Sequence, residues 1–292
     1  MHVLNVAMPG ARLERARRVQ GGNFTDVYEL RGATARGIDL RLARVFRVEA
    51  RPGIVEKLLV VLPAAEGAGV PVPEVVWADP GGGLLGRPLL LCRWIHGTSF
   101  RDAPDLSSRI AQLASSLADI HGTKVDLEEV WAYPTIPPDH LCDWARRSDA
   151  AAPVLELVER LAVNVPVKSG LVHGDFWSGN VLWLGGALAG VIDWDASGPG
   201  DAGADVAKAR LDLALHVGLD AADAFVSRYA QERPVSEHQP FWNLREAVSG
   251  FPDPGRFWLP TYELLGCTGL SPDVVQDRFT QYLRACVRSV AG

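Results

Sequence analysis

The residues best suited to chemistry lie in Leu171-Val-His-Gly-Asp-Phe-Trp-Ser-Gly-Asn-Val-Leu182 and in Val191-Ile-Asp-Trp-Asp195. Two apolar runs, 171–172 and 181–184, flank a polar loop, and a third, 188–192, ends at another acid. Short apolar runs between glycine-containing breaks read as buried strands. Their ends would aim Asp175, Asn180 and Asp193 into one small space. A carboxylate there can take a proton from a hydroxyl. An amide oxygen and a second carboxylate can hold Mg²⁺ against the phosphates of a nucleotide. The competing reading is a polar hairpin whose Asp and Asn only close turns.

The spacing is informative. A protein-kinase catalytic loop runs H-R-D-x-x-x-x-N, with Asp as base and Asn on metal, and a second metal-binding Asp follows. His173-Gly174-Asp175 is followed by Asn180 in that register, and Asp193 stands in the second position. With Ile192-Asp-Trp194, this pattern resembles the aminoglycoside phosphotransferase family and its relatives, the choline, fructosamine, homoserine and methylthioribose kinases. The resemblance covers nearly the whole chain and is specific over residues 171–207.

The resemblance implies an α+β, bilobal protein-kinase-like fold. Residues 1–95 would form a small β-rich N-lobe, a nucleotide-covering sheet with one helix. Residues 96–292 would form a larger, mainly α-helical C-lobe with the catalytic loop, the metal site and acceptor-binding helices. Nucleotide would lie in the cleft between them. The implied reaction moves the γ-phosphoryl group of ATP, with GTP as the alternative, to a hydroxyl of a small molecule with Mg²⁺ as cofactor. Asp175 would be the base, and Asn180 and Asp193 the metal ligands. His173 would brace the loop backbone. Asp205, in Gly200-Asp-Ala-Gly-Ala-Asp-Val-Ala207, matches the family's G-D-x-x-x-D-L-A element and would open a helix while tying back to the loop. Asp195 is a candidate for local support or for facing substrate.

Nucleotide contacts are less distinct. Gly21-Gly22 opens a turn into an apolar strand, and a glycine hairpin can lay backbone N–H groups over phosphates. No G-x-x-x-x-G-K-[ST] is present, which excludes a Walker-type loop. By resemblance, Arg44 (with Arg41 second) would grip phosphates where relatives carry Lys, and Glu56 would hold it. Leu90-Leu-Cys-Arg-Trp-Ile-His-Gly97 would be the hinge, with adenine meeting backbone around Arg93 and Ile95.

Periodicity supplies the elements that would position these groups. Residues 17–49 read as β-rich, with 38–46 a strand, and 74–78 and 84–95 as further strands. Residue 105 onward turns helical: 105–121 carries an amphipathic stripe that Gly122 closes, and 139–150 and 154–162 follow. The tail contains four expected helices, 204–216, 221–231, 241–249 and 274–290. There Trp242 and Glu263, among several aromatics and acids, could face substrate, although such aromatic spacing also suits a core.

Composition narrows the partners. The 292 residues carry a formal net charge of −6, without the basic stripe that a nucleic-acid backbone requires. The acceptor is expected to be a small alcohol, and a mildly acidic surface admits a cationic one. Four cysteines without a C-x-x-C pair suggest neither a zinc site nor a disulfide framework. No run approaches the roughly 20 apolar residues of a membrane span, and no secretion signal is read at the start. A cytoplasmic protein is expected, and no sequence feature reports an oligomeric state. The alternative to an active kinase is a nucleotide-binding regulatory protein, or a pseudokinase redirected to adenylyl transfer.

Overall fold

A computed structural model of the chain describes residues 10–19, 25–47, 49–98, 105–128, 131–137, 139–162, 165, 170–251 and 253–291. Two compact units emerge from the contacts, 1–67 with 71–96, and 68–70 with 97–292.

The first unit is built on a five-stranded antiparallel sheet in the order β1-β2-β3-β5-β4. Its strands are β1 (Arg12–Val19), β2 (Thr25–Thr34), β3 (Gly37–Phe46), β4 (Val75–Asp79) and β5 (Leu89–Arg93). Alternation along β3 puts Ala43 and Val45 on one face, where they pack with Leu30, Leu89 and Leu91. Arg44 and Phe46 take the other face, with the guanidinium 5.2 Å from the Phe46 ring. Helix α1 (Ile54–Gly67) follows and buries Val55, Leu58, Val61 and Leu62. The expected strand over 84–95 shortens to β5. Its early part belongs to a turn in which the Gly86 N–H donates to the Gly82 carbonyl at 2.8 Å, and Gly86, with φ of +70°, breaks the strand there.

The second unit carries two small antiparallel pairs, β6 (Gly170–Val172) with β9 (Gly198–Gly200), and β7 (Val181–Leu184) with β8 (Ala187–Val191). Around them lie α2 (Leu106–Gly122), α3 (Asp139–Arg146), α4 (Ala152–Ala162), α5 (Gly203–His216), α6 (Leu219–Glu232), α7 (Gln239–Val248), α8 (Pro254–Leu264) and α9 (Pro272–Ala291). The amphipathic stripe of α2 buries Ile110, Leu113, Leu117 and Ile120, and Asp105 caps it by accepting the Ser108 N–H at 3.1 Å. A β-rich N-terminal part and a helical C-terminal part make an α+β, protein-kinase-like fold.

One tail expectation fails: the described residues after Ala202 form five helices, not four. Helix α8 was masked in sequence by Pro254, Gly255 and Pro260. Pro254 occupies the first turn, where its missing N–H costs nothing, and Asp253 caps the helix by accepting the Arg256 N–H at 2.8 Å. All four cysteines are unpaired, and no described helix is long and apolar enough to cross a membrane.

Candidate active site

The loop between β6 and β7 is fixed by buried side chains that reach back to its backbone. Asp205, in the first turn of α5 and fully buried, accepts the N–H groups of His173 at 2.6 Å and Gly174 at 2.8 Å. Its Oδ2 also meets His121 Nε2 at 3.2 Å, and His121 Nδ1 meets the Tyr229 hydroxyl at 2.8 Å. Burial alone would raise the Asp205 pKa, but His121 and the loop N–H groups outweigh it and hold the carboxyl below its ordinary range. One turn further along the loop, the Ser178 N–H donates to buried Asp212 at 3.0 Å. Gly174 has φ of +80°, and a Cβ there would collide with the carbonyl of Ala196. Only glycine fits between His173 and Asp175.

His173 is fully buried between Trp194, with ring centroids 4.6 Å apart, and Phe176. Its Nδ1 accepts the Asp175 N–H at 3.2 Å, so the proton resides on Nε2, which donates to the Ile192 carbonyl at 3.0 Å. Both nitrogens are thereby committed to backbone in the neutral ring.

Asn180 donates its amide N–H to the Asp175 carboxylate Oδ2 and to the Asp175 carbonyl, both at 2.8 Å. Because the NH₂ group is spent on these two bonds, the amide oxygen Oδ1 is the atom left to face a cation. The Asn180 carbonyl accepts the Ile192 N–H at 2.9 Å, continuing the β7–β8 ladder past the Val181–Val191 pair. Ile192 is thus tied at its N–H to Asn180 and at its carbonyl to His173, and Asp193 comes next. Asp193 adopts φ of 62° and ψ of 59°, the left-handed region, and is the one described non-glycine residue with positive φ. Such a conformation costs free energy and persists where the surroundings impose it. The oxygen donors of Asn180 and Asp193 suit a hard divalent cation that completes its shell with water and phosphate. No group of three His, Cys, Asp or Glu side chains that could hold a metal by itself occurs among the described residues.

Lys208 is absent from the sequence reading. Its ammonium lies 3.1 Å from Asp175 Oδ1 and 3.1 Å from Glu246 Oε1, and Glu246 in turn meets Arg245 at 3.3 Å. Burial works against the charged ammonium, but Glu246 and Asp175 prevail, and its pKa lies above the ordinary lysine value. The available signal was its place in α5, three residues and about one helical turn past Asp205.

The other anticipated residues divide. Arg44 lies on β3, half-buried, and Arg41 is engaged with Asp39 at 2.8 Å. Glu56 is exposed on α1, whose buried face is formed mainly by its apolar neighbours. Arg93, at the end of β5, is exposed and pairs with Glu74 at 2.6 Å; its N–H is taken by the Glu74 carbonyl, and that of Trp94 by Leu40. Ile95 follows, half-buried. Asp195 lies in the short 3-10 turn Trp194–Ala196. Glu263 is exposed on α8. Trp242 does not face a substrate: it is 1% exposed, packs on Gly203 where any Cβ would clash, and neighbours Phe241 at 4.9 Å. Gly21 and Gly22 fall outside the described residues.

The chain is similar in sequence and in fold to known proteins. The homoserine kinase of Methylocella silvestris is 29% identical over 187 residues, which is 59% of this chain and 58% of that protein. Acyl-CoA dehydrogenase family member 11 of Gallus gallus is 29% identical over 161 residues, 49% of this chain and 21% of that protein. The chain therefore spans little more than half of the first and a fifth of the second. Among solved structures, a thermostable mutant of aminoglycoside phosphotransferase APH(4)-Ia, in a ternary complex with AMP-PNP and hygromycin B, matches with a TM-score of 0.63 at 18% identity, covering 100% of this chain and 98% of that one. The profile described as "phosphotransferase enzyme family" matches residues 15–238, which contain the loop between β6 and β7 and the side chains that hold its backbone. The chain belongs to the phosphotransferase enzyme family.

Proposed function

We propose that this chain is a small-molecule kinase that transfers the γ-phosphoryl group of ATP to an alcohol. The observation that carries the proposal is the Asn180–Asp175 contact, with Asp193 tied to the same hairpin end through Ile192. Asp175 would orient the acceptor hydroxyl and take its proton as the bond to phosphorus forms. Asn180 Oδ1 and the Asp193 carboxylate would hold Mg²⁺, which supplies neutralisation of charge on the phosphoryl oxygens. Phosphoryl transfer through a loose transition state depends mainly on positioning and electrostatics, and the bonds from Asp205, Asp212 and His173 supply rigidity for both. Arg44 and the backbone at Ile95 would contact the nucleotide.

We further read the acceptor as a small hydroxyl compound, of the size of homoserine, in preference to a polycationic aminoglycoside. A polyamine would require several unspent carboxylates converging near the base. Beside Asp175 there is already an ammonium, that of Lys208, and the nearby Glu246 is engaged by Lys208 and Arg245. The exposed Glu56 favours a second reading, nucleotide binding without turnover.

The test is ADP release by wild type and by Asp175→Asn over a panel containing homoserine, sugars, choline and aminoglycosides. Acceptor-dependent release that the variant loses supports the kinase. Nucleotide binding without turnover on any acceptor supports the second reading.

A further inference from the structure

The C-terminal unit holds a cavity of about 330 Å³, lined by none of Asp175, Asn180 and Asp193. That volume lies at the low end of the range for small-molecule sites. His121 comes to it from the end of α2, Leu171 from β6, Tyr229 from α6, and Arg233, Ser236 and His238 from the segment joining α6 to α7.

Most polar groups in its wall are already matched. The Tyr229 hydroxyl meets His121 at 2.8 Å, and burial pushes its pKa up to about 12, so it stays neutral. Asp201 accepts the Gly203 N–H and the Ser236 hydroxyl, both at 2.8 Å. Arg233 hydrogen-bonds the Tyr229 hydroxyl, but it is half-buried and has no carboxylate at ion-pair distance among the described residues. Asp119 senses its charge through space only. The one acid beside His238 is Glu237, at 3.5 Å, whose side chain is 88% exposed. A half-buried guanidinium with no carboxylate in contact is matched best by a compact oxyanion, which its planar fork can bind through two parallel N–H donors.

We propose that this cavity binds a small oxyanion, a phosphate monoester or a carboxylate, on Arg233 as an effector. His121 is the link to the catalytic loop. One of its ring nitrogens holds the cavity's Tyr229, and the other holds Asp205, which fixes the His173 and Gly174 backbone. The binding site is independent of the kinase assignment, whereas its effect on turnover rests on it.

The experiment is calorimetric titration of the full chain, saturated with Mg²⁺ and AMP-PNP so that the nucleotide's own phosphate contacts are filled. Inorganic phosphate and acetate are the two probes, and the proteins are wild type, Arg233→Gln and Arg233→Lys. Wild type should bind at least one probe, and the stronger of the two identifies the anion class. Arg233→Gln should lose that affinity at least tenfold, and Arg233→Lys should lose less. Thermal denaturation without anion should be alike in all three, which separates lost binding from lost folding. Turnover without added anion should be unchanged in Arg233→Gln, while the response of turnover to anion disappears. Absence of binding to wild type, unchanged affinity in Arg233→Gln, or binding that AMP-PNP abolishes would each overturn the site. Binding that follows Arg233 but leaves turnover unaltered would overturn the effector role.

Discussion

The loop between β6 and β7 and the N-terminal sheet are stabilised in opposite ways. In the loop, buried side chains take backbone N–H groups: Asp205 holds His173 and Gly174, and Asp212 holds Ser178. On the sheet, exposed ion pairs run across strands, such as Arg17 with Glu29 and Arg31 with Glu14. A buried carboxylate that matches two donors fixes a loop in one geometry, because leaving those donors unpaired costs about 1–3 kcal/mol each. An exposed pair fixes little, since water competes and salt screens it. Positional precision in this molecule therefore resides in the β6–β7 loop, where the proposed chemistry needs it.

The largest effect expected is on Asp175. Asp175→Asn keeps the shape and removes the base, so turnover should fall on the order of 10²–10⁴-fold while nucleotide affinity changes severalfold at most. Calorimetry with AMP-PNP beside an ADP-release assay measures the split. An equal loss of both would assign Asp175 to nucleotide binding instead.

Next comes Asp205. Asp205→Ala leaves two buried N–H groups and His121 without their acceptor, a loss of about 3 kcal/mol or more in chemical denaturation. Its pH dependence follows from the sign of the shift. The folded-state pKa is held down, so the ionised carboxylate stabilises the fold. That contribution is complete above the ordinary aspartate value of about 4 and is lost as pH falls through the lower folded value. Asp205→Asn should therefore narrow the stability gap between pH 7 and pH 3 relative to wild type. Equal acid sensitivity in both proteins would remove Asp205 from the account.

The same contrast explains what could be read from sequence. That Asp175 and Asn180 meet was legible because polar residues at the ends of short apolar runs emerge close together. Lys208 was not: a lysine inside a helical stretch is usually solvated, and nothing local reveals that a carboxylate from another helix, Glu246, will meet it. Trp242 suited a core more than a pocket wall by pattern, and its burial and contact with Gly203 decide for core. Helix α8 was hidden by its prolines because sequence rules penalise proline without seeing the cap at Asp253. At Arg93 and Ile95 the expected recognition used backbone, which any side chain can supply, so the residue types carried no information.

Lys208 tests whether the precision of the β6–β7 loop extends to the acceptor. Lys208→Met keeps most of the volume and removes the ammonium that lies against Asp175 Oδ1. With Asn180 still holding Oδ2, the carboxylate should retain a bond but lose its fixed orientation, and kcat should fall about tenfold, or ~1.4 kcal/mol. Nucleotide affinity should hold. The variant also leaves Glu246 with Arg245 alone, so thermal denaturation must accompany the kinetics. A fall in kcat proportional to lost folded protein would make Lys208 a structural residue.

The smallest effect is expected at Arg93, which sits where sequence placed the nucleotide hinge and where the structure shows a sheet-type ion pair. Its side chain is 54% exposed and that of Glu74 is 50% exposed. Such pairs contribute between about 0.2 and 1 kcal/mol. Arg93→Ala should thus lower stability by less than ~1 kcal/mol, and the difference from wild type should disappear in 1 M salt, where the screening length is about 3 Å. Because the Arg93 N–H is taken by the Glu74 carbonyl, and because a backbone hinge uses no side chain, AMP-PNP affinity should change less than about twofold. A large loss of nucleotide affinity at unchanged stability would transfer Arg93 from the weakly held sheet surface to the functional side of the comparison.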